Sequence, residues 1–364
     1  MKILVISDLL AYGGASKLIN DLLPRLKEQG HCCELLILTD EHSKYLTNLT
    51  EKGIKYGVLP RNIKGHIKRI QYIKNWIKKG GYDVIHANLF PVIYYVSIIK
   101  RIYSKCPPII MTEHSTDNKR RHRPYLRLLE KFIYSNYDHI ISISEQTQEQ
   151  LVKWLKCKNI EKFTIIENGI DLQQFKYAKP YDKKKLFLDY RNGDVLILMV
   201  GSFLIQKNHK NMILAMKKLP GNYKLLLVGE GPLLDDIKIA VKQNNLEKRI
   251  VFLGFRRDVA EIMHTSDLIC IPSLWEGFGL IAAEAMASGT TVVSSNVPGL
   301  SNIVGDCGLK FDPKEPTDIA KTIINSQNSH QKAERIKLGK LQAERYDIKR
   351  VVKEYEDLYI RLVQ

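Results

Sequence analysis

Short apolar runs alternate along this chain with longer stretches in which apolar positions return every three or four residues. The short runs are KILVIS (2–7), CELLILT (33–39), KYGVLP (55–60), DVIHAN (83–88), PIIMTEH (108–114), HIISIS (139–144) and FTIIEN (163–168). Each is bounded by polar or turn-forming residues, and each predicts a buried strand. Ser16 to Gln29 and Ile63 to Lys78 are helix candidates between them. Residues 171–194 then lose any sustained apolar period. Beyond them the alternation restarts with VLILMVGS (195–202), YKLLLVGEG (223–231), RIVFLGF (249–255), LICIPS (268–273), TTVVSSN (290–296) and GLKFD (308–312). Val352, Tyr355, Leu358, Tyr359 and Leu362 mark a last helix.

Alternation of this kind builds a parallel sheet with helices on both faces. Its break and restart predict an α/β protein of two doubly wound domains. The expected boundaries are 1–170 for the first domain, 171–194 for a linker and 195–348 for the second domain. The helix at 349–364 is expected to pack back on the first. A chain of 364 residues fits this division, being too long for one ordinary core. Open α/β sheets bind ligands beyond the carboxyl ends of their strands, so two of them in series predict a site in the cleft between domains.

Composition narrows the class. Hydrophobic residues make up 45% and charged residues 26%, as in a globular protein. No apolar stretch is long enough to span a bilayer, and the first run reads as a strand rather than a cleavable signal. The six cysteines lack metal spacing and a CxxC pair, which suggests reduced packing residues in a cytosolic protein. The net charge is +17, with 27 Lys and Arg against 16 Asp and Glu in residues 1–170, and 29 against 23 in the rest. Such a balance suits anionic partners. The basic residues are spread over many helices without an aromatic platform, which argues against nucleic acid.

The residues that follow the strands carry the candidate chemistry. Gly13 and Gly14, after the first strand, open a helix whose amides can meet an anion. The loop is not GxGxxG, so a dinucleotide fits poorly. His114 ends the fifth strand, and His86 lies inside the fourth. Lys207 follows Gly201 and Ser202 on a polar loop and can meet a phosphate as a point charge. Glu276, Gly277, Phe278 and Gly279 follow LICIPS, and a helix beginning near Leu280 carries Glu284 in its first or second turn. One ligand can touch a carboxylate at one end, amides in the middle and a carboxylate at the other. A nucleotide-sugar has that order of groups.

EGFGLIAAE resembles the E-x7-E signature of the retaining glycosyltransferases of family four, which have the GT-B architecture of two facing Rossmann-like domains. DLLAYGGASK, DVIHAN, IIENGID, VGEGPLLDDI and VFLGF follow that family's motifs in order, so the resemblance covers nearly the whole chain. It implies transfer of a hexose from a nucleoside-diphosphate sugar to a glycan or lipid-linked acceptor, in cell-surface polysaccharide or lipopolysaccharide synthesis. It also implies roles. Glu276 contacts the donor sugar, Glu284 the ribose, and Lys207 the diphosphate. The amides of Gly277, Phe278, Gly279 and Leu280 cradle sugar and phosphate, with Gly13 and Gly14 lining the same anion. His114 lies on the acceptor side, and Phe255 and Arg256 lie where the base is held. The expected catalytic set is Glu276, His114 and Lys207.

Ser202 departs from the family, which usually has arginine there. Losing that cation weakens stabilisation of the leaving diphosphate by about 2–4 kcal/mol unless another group, Arg256 or Lys210, replaces it. No DxD-like sequence follows a strand of the first domain, so the reading requires neither metal nor other cofactor. Two basic stretches, Asn62–Lys79 and Lys119-Arg120-Arg121-His122-Arg123 with its following helix, are candidates for docking on an anionic membrane, the second more than the first. The expected location is therefore the cytoplasm, with the inner membrane face as a peripheral site. The alternatives are a non-catalytic nucleotide-sugar-binding or assembly protein and a nucleotide-sugar epimerase.

Overall fold

The structure, a computed structural model, describes every residue except 12, 42, 44, 117, 119 and 328. The chain divides into two compact units, Met1–Gly169 with Ile348–Gln364, and Ile170–Asp347. The first unit runs β1 (Lys2–Ser7), α1 (Gly14–Glu28), β2 (Cys32–Ile37), α2 (Leu46–Glu51), β3 (Lys55–Val58), α3 (His66–Gly80), β4 (Val84–Asn88), α4 (Val92–Ile102), β5 (Ile109–Glu113), α5 (Leu126–Ser135), β6 (His139–Ser142), α6 (Glu145–Leu155) and β7 (Phe163–Ile165). Its seven strands are all parallel, in the order β3-β2-β1-β4-β5-β6-β7. Helices cover both faces, so neither side of a central strand meets water. That is why β1 is apolar at consecutive rather than alternate positions: Ile3, Leu4, Val5 and Ile6 are all buried.

The second unit opens with α7 (Leu172–Tyr177) and α8 (Lys183–Leu186). It continues through β8 (Val195–Val200), α9 (His209–Lys218), β9 (Tyr223–Val228), α10 (Leu234–Gln243), β10 (Ile250–Gly254), α11 (Val259–Thr265) and β11 (Leu268–Ile271). It ends with α12 (Leu280–Ser288), β12 (Thr291–Ser295), α13 (Leu300–Val304), β13 (Leu309–Phe311), α14 (Pro316–Ser326) and α15 (Ser329–Ala343). Its sheet is also parallel, in the order β10-β9-β8-β11-β12-β13. In both sheets the strand order reverses once, between β1 and β4 and between β8 and β11. These are the topological switch points, where connections leave in opposite directions and strand ends are left uncovered.

Each of the thirteen strands read from the sequence is present, inside the apolar run that predicted it except for β2, which begins one residue earlier at Cys32. Residues 171–194, expected as a linker, instead belong to the second unit. Phe175, Leu186 and Phe187 are buried. Tyr181 donates to Asp258 at 2.8 Å, and Lys183 pairs with Asp267 at 2.7 Å. Three anchors hold two very short helices, which is too few for a visible period. On α3 the isoleucine face is split. Ile73 and Ile77 are buried, with Ile63 and Ile70 against the same core, but Ile67 is 81% exposed. At 100° per residue it points about 60° away from Ile70 and about 120° from Ile73.

The last helix, α16 (Ile348–Val363), packs on the first unit through Val351, Val352, Tyr355, Leu358 and Tyr359. A side chain at Gly169 would strike the Cα of Ile348 at 2.8 Å, so glycine is required where the helix begins. His86 ties α16 to the sheet: its Nδ1 lies 2.9 Å from the Tyr359 hydroxyl and its Nε2 2.8 Å from Thr112 Oγ1, and its ring stacks on Tyr355. His86 is thus a core residue rather than a site residue. Burial pushes its pKa down to about 3. An unfolded histidine takes up its proton near pH 6.5. Between these values the unfolded chain binds the extra proton, so stability falls as the pH drops from about 6.5 towards 3. In His86→Gln the acid-side slope of unfolding free energy against pH should be shallower by up to about 1.4 kcal/mol per pH unit. Denaturant titrations of both proteins across that window measure the difference.

Candidate active site

In the second unit the switch point gathers loops from the ends of β8 and β11. After β8 the chain passes Gly201 and Ser202 and makes a 3-10 turn over Ile205–Lys207. Asn208 then takes a left-handed conformation, φ 59°, and its Nδ2 donates to the carbonyls of Pro272 at 3.0 Å and Pro313 at 2.7 Å. Gln206 and Leu274 stitch the same two loops: Leu274 N donates to Gln206 O at 2.8 Å, and Gln206 Nε2 to Trp275 O at 2.8 Å. His209 stacks on Phe203, with centroids 4.1 Å apart, and fixes the start of α9. Burial, with Lys207 as a lesser cause, pushes its pKa down to about 4.

This framework brings Lys207 and Glu276 together. The Lys207 ammonium donates to Glu276 Oε1, which also accepts from Ser273 Oγ at 2.9 Å. Both side chains are largely buried, 21% and 11% exposed. Gly201 makes room, since a side chain there would press on the Lys207 stem at 3.2 Å. Gly299 backs the other partner, since a Cβ would meet the carbonyl oxygen of Glu276 at 2.6 Å. Gly277, Phe278 and Gly279 lead into α12. Its N-cap, Gly279, has φ 99° and supplies no side-chain oxygen, and the first turn holds no acidic residue. The helix start is therefore left to an outside anion. Phe278 is buried edge-on against Tyr346. Glu284 lies in the second turn of α12 and is buried.

Across the sheet, Phe255 and Arg256 follow β10. Arg256 is clamped by Asp258, with Nε to Oδ1 at 2.8 Å, and Asp258 also accepts from Tyr181. The guanidinium holds the Asp258 carboxyl down to about 2. Arg256 is thus already paired where a replacement for the missing arginine was expected. Ser202, on the loop after β8, is only partly exposed, whereas Lys210 is exposed.

The first unit carries its own strand-end site. Gly13, φ 143°, is the exposed N-cap of α1 and offers no side-chain cap, and Gly14 follows it. Tyr12, in the same loop, lies outside the described residues. At the ends of β4 and β5 a cavity of about 270 Å³ is lined by residues that include Phe90, Met111, Glu113, His114, Asn118 and Arg120. His114 Nε2 lies 2.9 Å from Asn88 Oδ1. A carbonyl oxygen only accepts, so Nε2 carries the hydrogen and Nδ1 keeps its lone pair. Nδ1 is buried, with no hydrogen-bond partner among the described residues. Burial pushes the His114 pKa down to about 4, so the ring is neutral at pH 7. An acceptor atom is thereby offered to a ligand O–H.

The loop after β5 is pinned by buried acids. Glu113 pairs with Arg121 at 3.1 Å and accepts from Tyr134 at 2.9 Å. Glu130, fully buried, accepts from Arg120 at 2.6 Å, Tyr94 at 2.7 Å and Trp154 at 2.6 Å. Arg120 and Arg121, expected in a membrane-facing basic cluster, are instead drawn inward by these carboxylates. Lys119 lies outside the described residues.

Residues 12–174 match the Glycosyltransferase Family 4 model, and residues 182–339 match that of the Glycosyl transferases group 1. An uncharacterized glycosyltransferase of Methanocaldococcus jannaschii is 30% identical over 347 residues, covering 91% of this chain and 90% of its own. The chain belongs to glycosyltransferase family four. Another relative is the Escherichia coli UDP-Gal:alpha-D-GlcNAc-diphosphoundecaprenol alpha-1,3-galactosyltransferase, 28% identical over 71% of this chain and 70% of its own. Among solved structures, Anabaena HepE in complex with UDP-glucose superposes with a TM-score of 0.85 at 21% identity, covering 98% of this chain and 99% of HepE. That likeness is one of fold, and the fold is GT-B.

For this family four member the structure brings Lys207 and Glu276 into contact, with Gly277–Leu280 leading away from them and Glu284 buried further along α12. Gly13, Gly14 and His114 lie at strand ends of the first unit. The sequence reading missed the positioning residues Asn88, Asn208 and Ser273. Asn208 precedes a helix and Asn88 ends a strand, which are weak signals, and neither long-range bond is visible in spacing. Asn88→Asp places a carboxylate on His114 Nε2 beside His86 and Glu113, and a carboxylate favours the imidazolium. The His114 pKa should rise by about 1–2 units, and NMR titration of that ring checks it.

Proposed function

We propose that the protein is a retaining glycosyltransferase that moves a hexose from a nucleoside-diphosphate sugar to a lipid-linked or glycan acceptor in cell-surface polysaccharide synthesis. The observation that carries the reading is the Lys207–Glu276 pair at the switch point of the second sheet, beside the uncapped start of α12. Lys207 exchanges its carboxylate partner for the diphosphate, and the α12 amides take further phosphate charge. Glu276, released, accepts from hydroxyls of the donor sugar. Glu284 binds the ribose hydroxyls, and Phe255 and Arg256 border the base. Gly13 and Gly14, at the uncapped start of α1, leave amides on the first unit for an anion.

In the reaction the bond from the sugar C1 to the diphosphate oxygen breaks, and its electron pair leaves with the nucleoside diphosphate. The acceptor hydroxyl bonds to C1 on the same face, and its proton passes to the departing phosphate oxygen. His114, neutral and with a free lone pair at Nδ1, orients an acceptor hydroxyl. The leaving charge falls to Lys207 and backbone amides, a donor set that suits a metal-independent reaction. The Escherichia coli relative, whose name specifies a diphosphoundecaprenol-linked sugar, supports a lipid-linked acceptor. A membrane-held acceptor fits a protein that works at the inner face of a membrane.

The serine at position 202, with Arg256 already paired, favours a second reading, a nucleotide-sugar-binding protein without transfer. Two variants separate the readings. Glu276→Gln should hold nucleoside diphosphate at least as tightly as wild type, because Lys207 no longer has a competing carboxylate, while transfer falls by about 100-fold or more. Lys207→Met should lose both binding and transfer. Calorimetric titration with the diphosphate and a radiolabelled-sugar transfer assay measure the two effects. Wild-type protein that binds the nucleotide-sugar and transfers to no acceptor would establish the second reading.

A further inference from the structure

Helix α5 wears its apolar stripe on the outside. Glu130, Ile133 and Tyr134 face the core, while Tyr125, Leu128, Leu129 and Phe132 are 72%, 76%, 46% and 47% exposed. Their spacing, i, i+3, i+4 and i+7, makes one continuous ridge. Ile102, at the end of α4, is 56% exposed, and the Arg101 guanidinium lies 5.8 Å from the Phe132 ring centre, so the ridge continues onto α4. Arg123, Arg127 and Lys131 accompany it. Between residues 118 and 137 the only carboxylate is Glu130, which is fully buried and hydrogen-bonded inside. A ridge of large apolar groups among cations, with no acid exposed on the helix, is costly to leave in water.

We infer that this ridge seats the first unit in the headgroup region of an anionic lipid bilayer. Tyr125, Leu128, Leu129 and Phe132 enter the interface, and Arg101, Arg123, Arg127 and Lys131 meet the lipid phosphates. The charge pattern selects this occupant over a second copy of the chain, since an isologous contact would press like cations together. No helix among the described residues is long and apolar enough to cross a membrane, so the attachment is peripheral and reversible. Arg123 and the helix belong to the stretch read from sequence, but Arg120 and Arg121 drop out of the docking set because buried acids hold them. The inference rests on the proposed lipid-linked acceptor for its purpose and on α5 with the adjoining end of α4 for its physics.

Co-sedimentation of the full chain with vesicles tests it. Wild type should bind vesicles of equal parts phosphatidylcholine and phosphatidylglycerol, should release in high salt, and should not bind phosphatidylcholine alone. Arg127→Glu with Lys131→Glu should weaken binding by about 30-fold or more. Leu128→Ser with Phe132→Ser should weaken it by at least 10-fold. Lys64→Glu with Lys68→Glu, the same charge change on α3, should leave it unchanged. All variants should keep cooperative unfolding and wild-type nucleotide binding, which reports on the second unit and so separates failure here from failure of the transferase reading. Equal loss in the α3 variant would reduce the effect to net charge and overturn the assignment. So would absence of vesicle binding by wild type, or a wild-type dimer that Leu128→Ser with Phe132→Ser dissociates.

Discussion

A lysine and a glutamate from distant parts of the sequence, Lys207 and Glu276, share one hydrogen bond where β8 and β11 end. Each is too buried to be left without a partner cheaply. The surroundings are arranged to hold them there. Asn208 clamps the loop after β8 to the carbonyls of Pro272 and Pro313, Ser273 shares the Glu276 oxygen, and two glycines remove the side chains that would push the partners away. The pair stores a positive group and a carboxylate in mutual contact. On the proposed reading, an anionic ligand with hydroxyls satisfies both separately, with no large rearrangement of the sheet required.

The first unit solves a related problem with neutral groups. His86, in the middle of β4, and His114, just past the end of β5, belong to one sheet, and burial keeps both uncharged. Their partners divide their fates. His86 has both nitrogens bonded within the core and serves as a rivet for α16. His114 has one nitrogen held by Asn88 and the other facing a cavity wall without a partner among the described residues. Chemistry is available only where a hydrogen-bond valence is left over.

Much of this was legible in the sequence because parallel sheets write themselves as uninterrupted apolar runs, and every predicted strand coincides with such a run to within one residue. The candidate site was legible because a doubly wound sheet leaves its ligand site after the strands, so Gly201 to Lys207 and Glu276 to Glu284 could be found by position. What was hidden depends on contacts distant in sequence. The carboxylates that draw Arg120 and Arg121 inward lie ten and eight residues away and look like ordinary surface charges until α5 is folded. Residues 171–194 join the second unit through three buried side chains and several long-range polar bonds, none of them periodic. Ile67 belongs to a good isoleucine repeat and still faces solvent, because at 100° per residue it lies about 120° around the helix from Ile73.

The central claim is that the second unit binds a nucleoside diphosphate through Lys207 and the start of α12. Thermal unfolding of the purified protein with UDP, GDP, ADP or NAD in large excess tests it most directly. A ligand at about 100 times its dissociation constant adds about 2.7 kcal/mol to the folded state, an upward shift of several degrees for units of this size. The account predicts such a shift with one nucleoside diphosphate, absent in Lys207→Met, and none with NAD. No shift with any of the diphosphates would contradict it.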